Sequence, residues 1–468
     1  MSYQVPQHID PNKVFLINHS ELEGRLDSDF YNPSYYQIFG SDKVKWVRLK
    51  TVIKNLKHPP EYKRVFATVG YQLIRSQNVR PTGINLSESP VFLADEVVQS
   101  SSAIFPHVND ILIVRSGVNA GDVAVVEEEY KKVTIGADTL LLNVTQDVLP
   151  KFVQIYFMTE IGRKQLNRHI TGATNKHLNS YSLKRVYFHK MNLLIQSNCV
   201  SIVESAYAEN NRRQEQAKAL LQSIDSYLLN ELGIQLLETK SQTIQDRMFV
   251  VNFSEVSCDR YDPKYNKNIS YIRSANSVFP WRTLDDVVKN NGQYGANESA
   301  LDYNIGDIRY IRITDIDENG NLKVSDKKTA EKIDCSYLLN YNDVLFARSG
   351  SVGRCYIHKD TSEPAIFAGY LIRYELDIEK IIPDYLFYYC NSSIYHFWVE
   401  TIQRPAVQAN INSQEFSKLP IPLPPLQKQQ EIVDHISAIR QQAKALQEEG
   451  KAILEQAKKE VEQMILGN

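Results

Sequence analysis

Five cysteines are all that 468 residues offer (Cys199, Cys258, Cys335, Cys355 and Cys390), and no two stand in a CxxC or other paired spacing. That excludes a disulfide scaffold or zinc ribbon and fits reduced thiols, buried as small hydrophobes in a cytoplasmic protein. No run approaches the ~18–20 apolar residues that cross a bilayer, so no membrane segment is expected. The opening MSYQVPQHIDPNK has no cationic head followed by an apolar stretch, so no secretory signal is read there. Catalytic strings are missing as well. There is no Walker A loop, HExxH, GxSxG or FxGxG cofactor loop, and no [DNS]PP[YFW] string for amino-group methylation. The nearest approaches to the last are HPPE at His58–Glu61 and LPPL at Leu423–Leu426. What remains is the composition of a globular protein too long for one core, which implies two or three domains.

A strong charge of one sign is also lacking, since the net value is −2. The charge is uneven along the chain, however. Residues 1–195 carry 23 Lys+Arg against 18 Asp+Glu, and residues 235–425 carry 21 against 25. The first segment can hold a basic face, whereas the second needs local basic clusters inside an acidic whole.

The chain repeats itself. DFYNPSY (Asp29–Tyr35) returns as DRYDPKY (Asp259–Tyr265), and WVRLKTVIK from Trp46 returns as WRTLDDVVK from Trp281. NDILIVRSG (Asn109–Gly117) returns as NDVLFARSG (Asn342–Gly350), and HLNSYSLKRV from His177 as NINSQEFSKL from Asn410. Four collinear pairs mean duplication. Within each copy, β-branched runs such as DILIV, DVAVV, TLLLNV, IRYIRI and YLIRYEL alternate with turn residues and predict strands. One helix is expected over PKFVQIYFMTEIGRKQL, and another over PDYLFYYCNSSIYHFWVETI, each opening on proline.

After each copy the turn residues vanish. Ile432, Ile436, Ile439, Ala443, Leu446, Gly450, Ile453, Ala457, Glu460 and Met464 recur at alternating four- and three-residue steps, with Gly450 and Glu460 as imperfections. Val203, Ala206, Asn210, Arg213, Ala217, Leu220, Ile224 and Tyr227 keep the same steps, broken by polar Asn210 and Arg213. Two long helices follow. Either they pack on each other or each lies on its own domain.

Candidate site residues cluster around the repeated motifs. In Arg115-Ser116-Gly117 and Arg348-Ser349-Gly350 a strand ends in a forked donor, a hydroxyl and a flexible backbone. Arginine there can take guanine O6/N7 or a phosphate, or it can serve a turn by saturating nearby carbonyls. The adjoining loops differ and add Asn119 in the first copy and Ser351 and Arg354 in the second. Asn175, Lys176 and Asn179, with Gln408, Asn410 and Asn412, supply amides suited to adenine N6/N7, or equally to helix N-caps. Tyr294, between glycines in NGQYGAN, is placed on a loop tip for stacking or phosphate contact, or in an ordinary tight turn.

Together these features resemble the specificity subunit of type I restriction-modification systems. The likeness is carried by LPIPLPPLQKQQEIV (Leu419–Val433), NINSQEF (Asn410–Phe416) and DVLFARSG (Asp343–Gly350), and it extends over nearly the whole chain. The first copy departs from it, with MNLLIQSNCV from Met191 replacing the proline-rich join. The resemblance implies a mixed α/β fold with two tandem α/β target-recognition domains, 1–195 and 235–425. Each is followed by a long helix, 196–234 and 426–468, and the two helices pair as an antiparallel coiled coil. It further implies double-stranded DNA as ligand, one half of a split target per domain, and two methyltransferase subunits as partners. Those subunits would use S-adenosylmethionine, leaving this chain without catalytic residue, cofactor or metal; a translocating restriction subunit is a further partner in such systems. The rival readings are a single-chain DNA methyltransferase or nuclease with its own specificity, and a coiled-coil scaffold that binds only proteins.

Overall fold

The architecture is that of a computed structural model. Residues 1–9, 11–12, 24–25, 36–45, 64, 173–174, 236–247, 249, 251–259, 324, 404–408 and 468 lie outside its described part, so Cys258, Gln408 and Asp259, the first residue of DRYDPKY, do too. The chain forms two compact units, residues 1–214 with 447–468, and residues 215–446. No described helix is long and apolar enough to cross a membrane.

In the first unit, β1 (Trp46–Arg48), β2 (Ile53–Lys57), β3 (Tyr71–Ile74), β4 (Ile111–Val114), β5 (Val123–Val125), β6 (Val133–Ile135) and β7 (Thr139–Val144) are followed by α1 (Pro150–Met158), α2 (Glu160–His169), α3 (Ser180–Arg185), β8 (Tyr187–His189) and the long α4 (Leu193–Leu232). One antiparallel sheet has the order β2-β7-β4-β5; β3 pairs parallel to β6, and β1 pairs antiparallel to β8. The central strand β4 is buried throughout, as an unbroken Ile-Leu-Ile-Val run requires. It is entered through Asn109 at φ 71°, a conformation asparagine tolerates, while the Asp110 carboxylate accepts from His107 N at 2.9 Å.

The second unit repeats the plan. Its elements are α5 (Pro263–Ser274), β9 (Trp281–Thr283), β10 (Gln293–Tyr294), β11 (Arg309–Ile311), β12 (Val344–Ala347), β13 (Cys355–Ile357), β14 (Ala365–Phe367), β15 (Leu371–Tyr374), α6 (Pro383–Tyr389), α7 (Ser393–Ile402), α8 (Ser413–Ser417), β16 (Pro420–Pro422) and the long α9 (Leu426–Leu466). The antiparallel sheet again runs β10-β15-β12-β13, with β11 parallel to β14 and β9 antiparallel to β16. Asn342 takes φ 72°, and Asp343 accepts from Asn340 N at 2.8 Å. The repeated Asn-Asp is therefore a turn into a buried strand.

Where one helix was expected in each copy, there are two. Thr159 and Ser392 interrupt the apolar runs because their hydroxyls cap new helices, accepting from Gly162 N at 3.2 Å and Tyr395 N at 3.4 Å. Gly162 is required at the break, since a Cβ there would sit 1.9 Å from Tyr156 O. A carboxylate from a long helix completes each cap: Glu462 accepts from Glu160 N and Ile161 N, and Asp225 from Ser393 N.

The mixed α/β fold with two long helices is as expected from the sequence, and within each unit the helices pack antiparallel. In the first unit Cys199 meets Met464, while Arg213 pairs with Glu449 across the seam. In the second, Tyr227 stacks on His435 with ring centroids 4.0 Å apart, and Lys428 pairs with Glu231 at 2.6 Å. The apparent imperfections answer one another. A Cβ on Gly450 would come 2.7 Å from Oδ1 of Asn210, so the glycine makes room for the asparagine. Glu460 is exposed and leaves the seam, which shifts instead to Ala457, Val461 and Ile465 at four-residue steps. The long helices close both cores. Val461 and Ile465 join Cys199 and Val203 in the first, and Leu228, Leu232, Ile432 and Ile436 belong to the second.

Each long helix starts on the same fastening, although the joins differ in sequence. Gln196, fully buried, donates from Nε2 to Met191 O and Asp147 O at 2.8 and 2.9 Å and accepts from Leu149 N at 2.8 Å. Gln429, equally buried, donates to Pro424 O and Lys380 O at 2.8 and 3.0 Å and accepts from Ile382 N at 2.8 Å. Removing the carboxamide strands buried backbone groups, which costs about 1–3 kcal/mol. Gln196→Ala and Gln429→Ala should each lower stability by about that amount in urea unfolding, and the double variant by nearly the sum, because the sites share no partner. An unchanged midpoint in either single variant would show the fastening to be dispensable.

Candidate nucleic-acid interface

The strongest repeated strand delivers its arginine to the same place in both units. β4 ends at Arg115, whose N–H donates to Asp138 O at 2.7 Å and whose carbonyl accepts from Leu178 N at 2.8 Å. β12 ends at Arg348, donating to Tyr370 O at 3.0 Å and accepting from Ile411 N at 2.9 Å. Ser116 bridges to His177, and Ser349 to Asn410, so the loop after the strand is zipped to the amide-rich segment in each copy. Gly117 and Gly350 take φ 97° and 72°, which lets each loop turn away after its serine. Two motifs distant in sequence therefore form one site, built twice.

Side chains on this shared frame differ. In the first unit Arg115 donates from Nε to His177 Nε2 at 3.3 Å, and from Nη1 to Ala137 O at 3.2 Å and to the His58 ring. With Nε2 of His177 accepting, its Nδ1 carries the proton and donates to Ser116 Oγ at 3.0 Å, leaving the serine hydroxyl free to donate outward. A cleft of about 610 Å³ opens here, lined among others by His58, Glu61, Arg115, Ser116, Asp138, Asn175 and His177. In the second unit the Arg348 guanidinium lies 4.8 Å above the Tyr294 ring centroid, and its Nε donates to Asn410 Oδ1 at 3.4 Å. Tyr294 is held in turn, its hydroxyl donating to Ser413 Oγ at 3.2 Å and accepting from Ser413 N at 3.0 Å.

Several sequence expectations need correction. Tyr294 is not at a loop tip; it lies in edge strand β10, paired with Ile372. Its flanking glycines serve close approach, because a Cβ on Gly295 would lie 2.4 Å from Phe367 O. Asn179 and Asn412 are N-caps, accepting from Ser182 N at 2.7 Å and Glu415 N at 2.9 Å. Each cap commits one lone pair of that oxygen to the helix backbone. Arg354 is turned inward, donating to Ile316 O at 2.6 Å. Ser349 is buried, while Asn119 and Ser351 are half-buried in the turns that follow. Asn175 and Lys176 are exposed, and Lys176 O receives Gly117 N at 3.1 Å. Gln408 lies outside the described residues. Sequence reasoning missed His58 and His177. His177 opens one of the repeated segments, and His58 stands in the HPPE string that served only to exclude methylation.

A family model for the type I restriction modification DNA specificity domain matches residues 279–456. The chain is 23% identical over 381 residues to the StySPI type I restriction enzyme specificity subunit of Salmonella potsdam, covering 78% of this chain and 74% of that one. It is 22% identical over 280 residues to the EcoBI specificity subunit of Escherichia coli, covering 58% and 56%. A solved chain from work on complex assembly and conformational transition of a type I restriction-modification system superposes with a TM-score of 0.53 at 15% identity, over 90% of this chain and 96% of that one. At that identity the likeness concerns the fold.

Burial first, and then the Arg115 guanidinium, hold His177 below the usual imidazole range, so it stays neutral and keeps accepting from Arg115 near neutral pH. In NMR titrations of ring-labelled protein, His177 should protonate at lower pH than a free imidazole. Arg115→Ala should move its midpoint upward. A midpoint unmoved by that substitution would separate the two side chains.

Proposed function

The chain belongs to the DNA specificity subunits of type I restriction-modification systems, and from that premise we propose that each unit reads one half of a two-part DNA target. The observation that carries this reading is the twice-built site: one backbone frame, presenting an arginine at a strand end, with different side chains around it. A constant frame with varied neighbours suits two readers of different sequences. Arg115 and Arg348 are the base-contacting arginines, and Tyr294 is the platform that keeps Arg348 extended. Asn175 and Lys176 face solvent beside Arg115 and supply further amide or phosphate contacts. The chemistry belongs to partners. Two methyltransferase subunits dock on the long helices and use S-adenosylmethionine on cytoplasmic DNA, while this chain holds no cofactor of its own; a restriction subunit joins where the system cleaves.

Purified alone, the chain should neither methylate nor cut DNA, and adding its cognate methyltransferase should restore methylation at one bipartite sequence. In site selection from random DNA, Arg115→Ala should relax one half-site and Arg348→Ala the other, each at ~1–3 kcal/mol per lost guanine contact. Turnover by the isolated chain would mean it carries its own active site. Equal weakening on specific and random DNA would reassign both arginines to phosphates.

The helices also set the spacing in this reading. Adding one heptad to both preserves the seam and lengthens each by ~10 Å at 1.5 Å per residue. At ~3.4 Å per base pair, the selected half-sites should then lie about three pairs further apart with their sequences unchanged. An identical spacing preference in both proteins would remove the helices as the ruler.

A further inference from the structure

The repeat extends one motif further than the sequence comparison reached. β3 ends in Ile74 opposite Ile135, and β11 ends in Ile311 opposite Phe367, both in parallel pairs. The next residue is an arginine in each copy, Arg75 and Arg312. Its backbone N–H donates to the side chain three positions on, Asn78 Oδ1 at 3.0 Å in the first unit and Asp315 Oδ2 at 2.9 Å in the second.

One difference decides the fate of the two guanidiniums. Arg312 donates from Nε and Nη2 to Asp315 at 3.1 and 2.6 Å, and Nη2 also reaches Asp326 at 3.3 Å. Its charge is consumed inside the protein. Asn78 offers Arg75 no charge, and its amide nitrogen is turned to Asn85 O and Glu88 O, both at 2.9 Å. Among the described residues the Arg75 guanidinium bonds only Ser89 O, through Nη2 at 2.7 Å. Its Nε is buried without a partner, and no ion pair to it occurs among the described residues.

Position matters as much as freedom. Arg75 lines a cleft of about 340 Å³ that shares Glu61, Ala137 and Asp138 with the cleft at Arg115. The next residue, Ser76, has its hydroxyl 4.0 Å from where a Cβ of Gly117 would lie, so this loop abuts the Arg-Ser-Gly loop. The two shared carboxylates disfavour a phosphate in the groove. They suit the edge of a G·C pair, where arginine donates to guanine O6 and N7 and a carboxylate accepts from cytosine N4.

We propose that Arg75 is a second base-reading arginine of the first unit, directed at a guanine in its half-site, and that Arg312 has no such role in the second. The inference rests on the reading of this chain as a DNA specificity subunit. Full-length wild-type, Arg75→Ala, Arg75→Lys, Arg312→Ala and Arg115→Ala proteins, each assembled with the cognate methyltransferase, are compared on the cognate duplex, on scrambled DNA and in site selection. Thermal melts exclude unfolded variants. Arg75→Ala should weaken cognate binding roughly 5- to 150-fold, leave scrambled DNA unaffected and relax one base pair of the first half-site. Arg75→Lys should relax the same pair, because it keeps the charge and loses the fork, and Arg312→Ala should leave the second half-site as it was. Equal loss on both DNAs, with the salt dependence reduced by about one phosphate, would overturn the inference, as would no loss beside a clear Arg115→Ala effect. If the wild-type assembly selected no sequence at all, it is the DNA-specificity reading that would fall.

Discussion

A buried carboxamide at the head of each long helix is the constraint from which much of the rest follows. Gln196 and Gln429 sit where the helix, the segment before it and the loop ahead of the short helices converge. Three backbone groups meet there in a dry core, each needing a partner. One planar group with two donors and an acceptor satisfies all three, and in doing so fixes the helix in both position and rotation. The middle of the seam can then be built from small residues. Ala443, Gly450 and Ala457 add little burial of their own, and they work because the helix already faces the right way.

The interface follows the opposite rule. Its backbone is held by matching hydrogen bonds in both copies, at the strand end and in its bridge to the facing segment, while its side chains differ. His177 stands where Asn410 does, and Asp138 where Tyr370 does. Arg115 is steadied by two imidazoles, Arg348 by a tyrosine face and an amide. Side-chain chemistry is thereby varied without touching the fold that aims it.

What the sequence made legible was whatever depends on local pattern. The apolar strand and the Arg-Ser-Gly loop share one contiguous string, so their order could be read directly. Thr159 and Ser392 could not be read as helix breaks, because a hydroxyl inside an apolar run looks the same whether it caps or merely interrupts. The glycines around Tyr294 suggested a turn, whereas they answer a close approach by distant strands that no local pattern reveals. Gln196 was hidden for a similar reason, since a polar residue in a first helical turn normally faces water. Asn179 and Asn412 admitted two readings from one set of letters, and only the position of a backbone N–H chose between them. His58 joined the site through tertiary folding alone.

The first unit takes residues 447–468 from the far end of the sequence, and Val461 and Ile465 close its core. The second unit is one continuous stretch, 215–446. On a ribosome adding ~5–20 residues per second, the half made first must therefore wait roughly ten to fifty seconds, with an apolar groove uncovered, while the half made second is completed. Order of synthesis and order of folding are thus reversed. A chain broken off just before Val461 would spare the later unit and fail in the earlier one.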